Sequence, residues 1–167
     1  YIDVTLDAEP QNRGTIHPTT QSFKEAVAIF ESMGYTLMTG PEIEDDWHNF
    51  TALNTPDYHP ARDMQDSFFL PNGNVMRTQT SAVQIRAMEK NGVPIKMFTV
   101  GQCYRKELDA THSAMFGQIE GLYIDTVEKG INLSDMLATM RTFASKYFEK
   151  DDLELRIRPS YFPFTDP

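Results

Sequence analysis

The chain has 167 residues, a formal charge of −9 and one cysteine, Cys103. That length suits a single domain with a real core, and no apolar run approaches the roughly 18 residues of a membrane span. The acidic balance argues against a main nucleic-acid footprint, which needs a clustered basic surface, but leaves room for a small anion held by two or three arginines. A lone cysteine excludes an intramolecular disulfide framework and fits a reducing compartment. The opening YIDVTLDAEPQNRG has neither the basic nor the apolar region of a signal peptide, so the reading is cytoplasmic, or an organelle with its targeting segment absent.

The first sixteen residues read as a strand and an irregular lead-in. HPTTQSFKEAVAIFESMGY predicts a helix capped by Thr19 or Thr20, with Phe23, Val27, Phe30 and Met33 on one face and Gly34 as its stop. GPEIEDDWHNFTALNTPDYHPARDMQ is polar and Pro-rich, a short helical turn inside a long ordered loop. DSFFL and VMRTQT are strands joined by a turn at Pro71 to Asn74, and SAVQIRAMEKNG is a second helix ending near Gly92. PIKMFTVGQCYRKE and AMFGQIEGLYID follow as strands around the polar loop LDATHS. LSDMLATMRTFASKYFEK predicts a third helix, with Ser134 as cap and Met136, Met140, Phe143 and Tyr147 inside; LELRIRPSYFPF is a final strand. Adjacent strands interrupted by helices predict an α+β domain, an antiparallel sheet with helices on one side.

Strand alternation puts Gln118 and Glu120 on one face. A carboxylate beside an amide there suits an ammonium group, and equally suits the wet face of an edge strand. Arg105 and Glu107 share a face at the mouth of the loop holding His112; a guanidinium there can fork onto a phosphate or form a surface ion pair. Thr78, Gln79, Thr80, Ser81 and Gln84 gather at a helix start, as an anion cradle or an N-cap. Phe162 and Phe164 flank Pro163, which removes a ladder donor and makes that segment either an edge strand or irregular; their rings serve a core or a pocket wall. The four histidines are scattered without zinc spacing, and no P-loop or nucleophile elbow occurs.

The strings GPEIEDDWHNFTALNTPDYHPARDMQDSFFL, RTQTSAVQIR, YRKELDATHSAMFGQIEGL and RPSYFPFTDP, in this order, closely resemble the catalytic domain of the bacterial phenylalanyl-tRNA synthetase alpha-subunit family along essentially the whole chain. The resemblance implies a class II synthetase fold over residues 1–167, carrying motifs 1 and 2. It implies activation of phenylalanine with ATP and Mg2+, transfer to tRNA(Phe), and a beta-subunit partner in an assembly of two alpha and two beta subunits. By the same resemblance Arg105 and Glu107 belong to the ATP-holding motif 2, His112 faces the phosphates and Phe116 stacks on adenine. Gln79, Ser81, Gln84, Gln118 and Glu120 grip the amino acid's charged groups, Phe162 and Phe164 line the ring pocket, and Asp166 stands where the family more often has a Glu that meets magnesium. Gly117 stands where the family usually has His, which implies one contact fewer beside ATP. The N-terminal coiled coil and motif 3 of the family have no counterpart in these residues, so the chain reads as a fragment.

Two other classes compete with the enzyme. A non-catalytic synthetase-like module that holds an amino acid or adenylate fits the absent motif 3 and Gly117. A purely structural interaction protein leaves the polar groups unexplained.

Overall fold

Alternation along one strand organises the fold. The structure is a computed structural model that describes residues 3–5, 14–59, 62, 67–106 and 110–158. Its strands are β1 (Thr36–Leu37), β2 (Ile43–Glu44), β3 (Val75–Met76), β4 (Ile95–Tyr104) and β5 (Met115–Ile124). Its helices are α1 (Pro18–Ser32), α2 (Asp46–Asn49), α3 (Ala82–Asn91) and α4 (Leu133–Phe148). One sheet has the order β1-β4-β5 and a smaller one pairs β2 with β3. β4 and β5 are antiparallel from Ile95↔Ile124 to Tyr104↔Met115. β1 lies parallel to β4, so the sheet is mixed, a pairing that requires the long crossover between them.

The helices cover both faces of the sheet, not one. Ile95 and Met97 of β4 meet Val83 and Ala87 of α3, joined by Leu122 and Ile124 of β5. The alternate positions, Phe98 and Val100 with Ile119 and Tyr123, meet Phe30 of α1 and Phe143 of α4. β4 carries apolar side chains at odd and even positions alike, so each face has to be shielded from water. Phe30 sits at the centre of the second cluster, stacked on Phe98 at 5.0 Å and edge-on to Tyr35 at 5.4 Å. Such pairs contribute about 0.5–1.5 kcal/mol beyond the area they bury.

Helix ends differ from the sequence expectation by a residue or two. His17, not Thr19 or Thr20, caps α1, its Nδ1 accepting from the Thr19 N–H at 3.2 Å. Pro18 then takes the first helical position, for which its ring is preset. Asn132, not Ser134, caps α4 in a reciprocal box with Asp135. Met136 and Met140 were expected inside but are half exposed, lining a groove between α4 and β5 of about 360 Å³. Gly92 ends α3 as expected, at φ 70°.

The long polar segment holds β2, α2 and a 3-10 turn at Thr51–Leu53. The following hairpin closes through a Phe69↔Val75 bridge around the expected turn. Residues 153–158 have no regular secondary structure, and the rest of the predicted final strand lies outside the described residues. Asp3 to Thr5 form a turn, while residues 1–2 and 6–13 of the predicted first strand also lie outside them. Among the described residues no helix is long and apolar enough to cross a membrane.

Candidate functional site

The face of the sheet that receives α3 changes character along its length. Near α3 it presents Ile95, Met97, Leu122 and Ile124. Further along, the register Thr99↔Glu120, Gly101↔Gln118 and Cys103↔Phe116 puts polar and small groups on that same face. The N-terminal end of α3 and the residues just before it supply the other wall.

Glu120 is the centre of this wall. Ser81 Oγ donates to both its carboxylate oxygens at 2.9 and 2.7 Å, and Gln84 Nε2 donates to Oε2 at 2.9 Å. Burial pushes the Glu120 pKa above the ordinary carboxyl value, and the bonds from Ser81 and Gln84 oppose that shift without cancelling it. A carboxylate has about four lone-pair positions, so these donors leave capacity for one more cationic donor. Gln118 has a defined orientation: its Oε1 accepts from the Thr80 N–H at 3.1 Å and from Cys103 Sγ at 3.2 Å. Only an oxygen can meet the Thr80 N–H, so the amide turns its Nε2 donors the other way. An anionic acceptor and an amide donor two residues apart have the chemistry to meet the two charged ends of a zwitterion.

The floor depends on Gly101. Buried Arg77 spans it, donating from Nε to the Gln102 carbonyl at 2.7 Å and from Nη1 to the carbonyls of Gly40 and Pro41 at 3.4 and 3.3 Å. A Cβ at position 101 would collide with Arg77 Nη2. Displacing the guanidinium would break those bonds, so Gly101→Ala is expected to destabilise the fold by about 1–3 kcal/mol, the range for overpacking. Urea denaturation of the variant beside Arg77→Lys checks this. An unchanged midpoint for Gly101→Ala would show that Arg77 moves freely. Cys103 lies on the same floor, where burial pushes its thiol up to about 11, so it donates as a neutral thiol.

Beyond Cys103 the β4–β5 hairpin ends in a polar notch of about 220 Å³ lined by Arg105, Thr111, His112, Ser113 and Phe116. The Arg105 N–H closes the hairpin on the Ala114 carbonyl at 3.0 Å. Its guanidinium carbon lies 5.0 Å from the centre of the Phe116 ring, a cation–π contact that orients both groups.

The structure therefore gathers Ser81, Gln84, Gln118 and Glu120 in one place and Arg105, His112 and Phe116 in an adjoining one. Gln79 departs from that set: its Nε2 donates to the Asn49 carbonyl at 3.1 Å, toward α2. Glu107, Phe162, Phe164 and Asp166 lie outside the described residues. Gly117 does not face the notch. Alternation turns it to the α1 side, where the Phe23 ring occupies the place of any Cβ, so a side chain at 117 is not a missing contact beside Phe116. Cys103 and Asn49 were not singled out as site residues, and Thr80, named only in the cluster at the helix start, enters through its backbone N–H. Cys103 was readable from the hairpin register, whereas Asn49 is brought in by tertiary packing.

Glu44, Asp45 and His48 bring one potential ligand atom each within 4.8 Å of one another, but they do not fit a metal. Both Glu44 oxygens accept from Arg86, Nε at 2.9 and 3.2 Å. His48 is bracketed by Asp45 at 2.7 Å and Glu89 at 3.1 Å. Burial lowers the His48 pKa, and the bonds to Glu89 and Asp45 outweigh it and leave the pKa raised. Arg86 already supplies the cation, and the cluster fastens β2 and α2 to α3.

The family described as tRNA synthetases class II core domain (F) matches residues 1–167. A phenylalanine–tRNA ligase alpha subunit of Novosphingobium aromaticivorans is 50% identical over 172 residues, covering 99% of this chain and 46% of the relative. One from Laribacter hongkongensis is 49% identical, covering 99% of this chain and 50% of the relative. The chain thus spans about half the length of these curated relatives. Among solved structures, a pyrrolysyl-tRNA synthetase of Desulfitobacterium hafniense superposes with a TM-score of 0.64 at 19% identity, over 83% of this chain and 50% of that one. A second structure from that organism, PylSc, gives 0.63 at 17%, over 78% and 47%. At such identities the likeness concerns the fold alone. With its mixed sheet, its helices and its whole length matched by the family, this chain belongs to the class II core domain family of tRNA synthetases.

Proposed function

We propose that the protein containing this chain is a phenylalanine–tRNA ligase alpha subunit. It activates phenylalanine with ATP, transfers it to tRNA(Phe), and works in the cytoplasm with a beta subunit as two alpha and two beta. The observation that carries this reading is the zwitterion receptor of Glu120 and Gln118 lying beside the Arg105–Phe116 notch. The names of the relatives, at about half identity along the whole chain, supply the amino acid and the tRNA.

In this reading the ammonium of phenylalanine is held by Glu120, with Ser81 and Gln84 fixing that carboxylate, and Gln118 donates to the substrate. A carboxylate oxygen of the amino acid then attacks the α-phosphorus of ATP in line and pyrophosphate leaves. No protein nucleophile is needed, only positioning and charge stabilisation. Arg105 and His112 face the phosphates, Glu107 supports the nucleotide, and the face of Phe116 turned from Arg105 takes the adenine. Phe162 and Phe164 wall the side-chain pocket and discriminate against tyrosine, whose hydroxyl costs on the order of 1–3 kcal/mol to bury unpaired. Asp166 would hold Mg2+, which would offset the charge of the ATP phosphates. Gln79 acts at one remove, through its bond to Asn49.

The test is ATP–pyrophosphate exchange by the full-length protein with its beta partner, with phenylalanine, tyrosine or leucine. Exchange that depends on phenylalanine alone is the expected result. Selective phenylalanine binding without exchange would replace the ligase with an amino-acid-holding module, and indifference to all three amino acids would remove the reading.

A further inference from the structure

We propose that Asn49 is a positioning residue for the amino-acid site, an inference that rests on the function proposed above. Asn49 ends α2 and is fully buried. It lies almost thirty residues before the site wall in sequence, but three bonds join it to that wall. Its Nδ2 donates to Thr78 Oγ1 at 3.1 Å, its Oδ1 accepts from the Thr78 N–H at 3.2 Å, and its carbonyl accepts from Gln79 Nε2 at 3.1 Å. The carboxamide thus pairs with both the backbone and the side chain of Thr78, which fixes the position and the rotation of that residue.

Thr78 and Gln79 lead directly into the two residues that touch the receptor. The Thr80 N–H orients the Gln118 amide, and Ser81 Oγ bridges both oxygens of Glu120. A shift of the chain at Thr78 therefore moves both contacts together. Asn49 is itself immobilised from the other side. Asp45 caps α2 by accepting from the His48 N–H at 2.8 Å, and His48 reaches Glu89 of α3. Next to it, buried Phe50 lies under the Arg62 guanidinium at 5.1 Å. Asn49 thus connects a rigid corner of the fold to the segment that sets the geometry of Gln118 and Glu120. Misplacement of a binding group by a fraction of an ångström is felt in substrate binding.

The segment belongs to the amino-acid receptor and not to the notch around Arg105, which gives the proposal a discriminating signature. Steady-state exchange kinetics on the full-length protein with its beta partner would compare Thr78→Val, Thr78→Ser and Asn49→Ala with the parent. Thr78→Val deletes the acceptor of Asn49 Nδ2 while keeping shape and the backbone bond, and Thr78→Ser keeps that acceptor. We expect Thr78→Val to raise KM for phenylalanine about tenfold, equivalent to 1.4 kcal/mol, with Thr78→Ser within about twofold of the parent. KM for ATP should stay put in both, and Asn49→Ala should exceed Thr78→Val if it folds. A merely structural role would lower the active fraction, reducing kcat with both KM values unmoved. That outcome overturns the proposal, as would equal shifts in KM for the two substrates or a normal KM for phenylalanine in Thr78→Val. Absence of phenylalanine-dependent exchange in the parent would instead overturn the functional reading, and the positioning role with it.

Discussion

Glu120→Gln should lower phenylalanine-dependent kcat/KM by roughly 30- to 150-fold, equivalent to about 2–3 kcal/mol for a charge-assisted hydrogen bond lost from a shielded site. The substitution keeps the shape of the side chain and one oxygen for Ser81, but it removes the negative charge proposed to face the ammonium. A pH series separates this from simple loss of packing. Because burial raises the Glu120 pKa, the folded chain holds that proton to a higher pH than the unfolded chain does. The folded state therefore binds more protons than the unfolded state across the interval between the ordinary and the raised value. Stability attributable to this group falls as pH rises through that interval and is level above it. Phenylalanine affinity runs the other way, weakening as pH falls through the raised value and the carboxylate is protonated. In Glu120→Gln both dependences should flatten. Urea denaturation and calorimetric titration over a pH series check the two signs, and parallel pH profiles for parent and variant would rule out Glu120 as the titrating group.

Arg105→Ala should reduce the maximal rate of ATP–pyrophosphate exchange by on the order of 10²–10³, the range for removing a donor aimed at developing charge. Arg105 is exposed at the end of the hairpin, so its loss should change folding stability by no more than about 0.5 kcal/mol. In the proposed site its side chain would serve two purposes at once. The forked donors suit phosphate oxygens, and the flat guanidinium packs on Phe116 at 5.0 Å. Arg105→Lys retains a charge but neither the fork nor the flat contact, and should recover only part of the rate. Saturation curves for ATP and for phenylalanine provide the check, with KM for phenylalanine expected to stay at the parent value. Exchange within about threefold of the parent in Arg105→Ala would take this residue out of the phosphate-holding role, since a transition-state contact is worth far more than that.

Much of the architecture follows from local rules. The apolar spacing of Phe23, Val27, Phe30 and Met33 is enough to make α1 a helix, and the two ten-residue strands are readable from alternation and from the polar loop between them. β1, β2 and β3 are each two residues long. Too short to show a period, they exist because a neighbouring strand supplies hydrogen-bond partners. The caps were misplaced by a residue or two because His17 and Asn132 compete with nearby Thr and Ser side chains, and backbone geometry selects the winner. Cover on both faces was legible in the apolar character of Ile95, Met97, Phe98 and Val100, although a hairpin suggested cover on one.

The site divides in the same way. Sequence by itself determined that Gln118 and Glu120 share a face, because side chains alternate along any strand, and that Arg105 and His112 stand at the two ends of one loop. The long family strings assigned them a chemistry. Only the tertiary structure decided that Ser81 and Gln84 close on Glu120, that Cys103 and the Thr80 N–H turn Gln118, and that Gly117 belongs to the opposite face against Phe23. It also decided that Gln79 turns to Asn49 and that Arg77 fills the space above Gly101. Periodicity fixes which side of an element a residue occupies. Which partner it meets there depends on contacts between segments dozens of residues apart, and those are settled only when burial leaves each polar group one place to find its hydrogen bond.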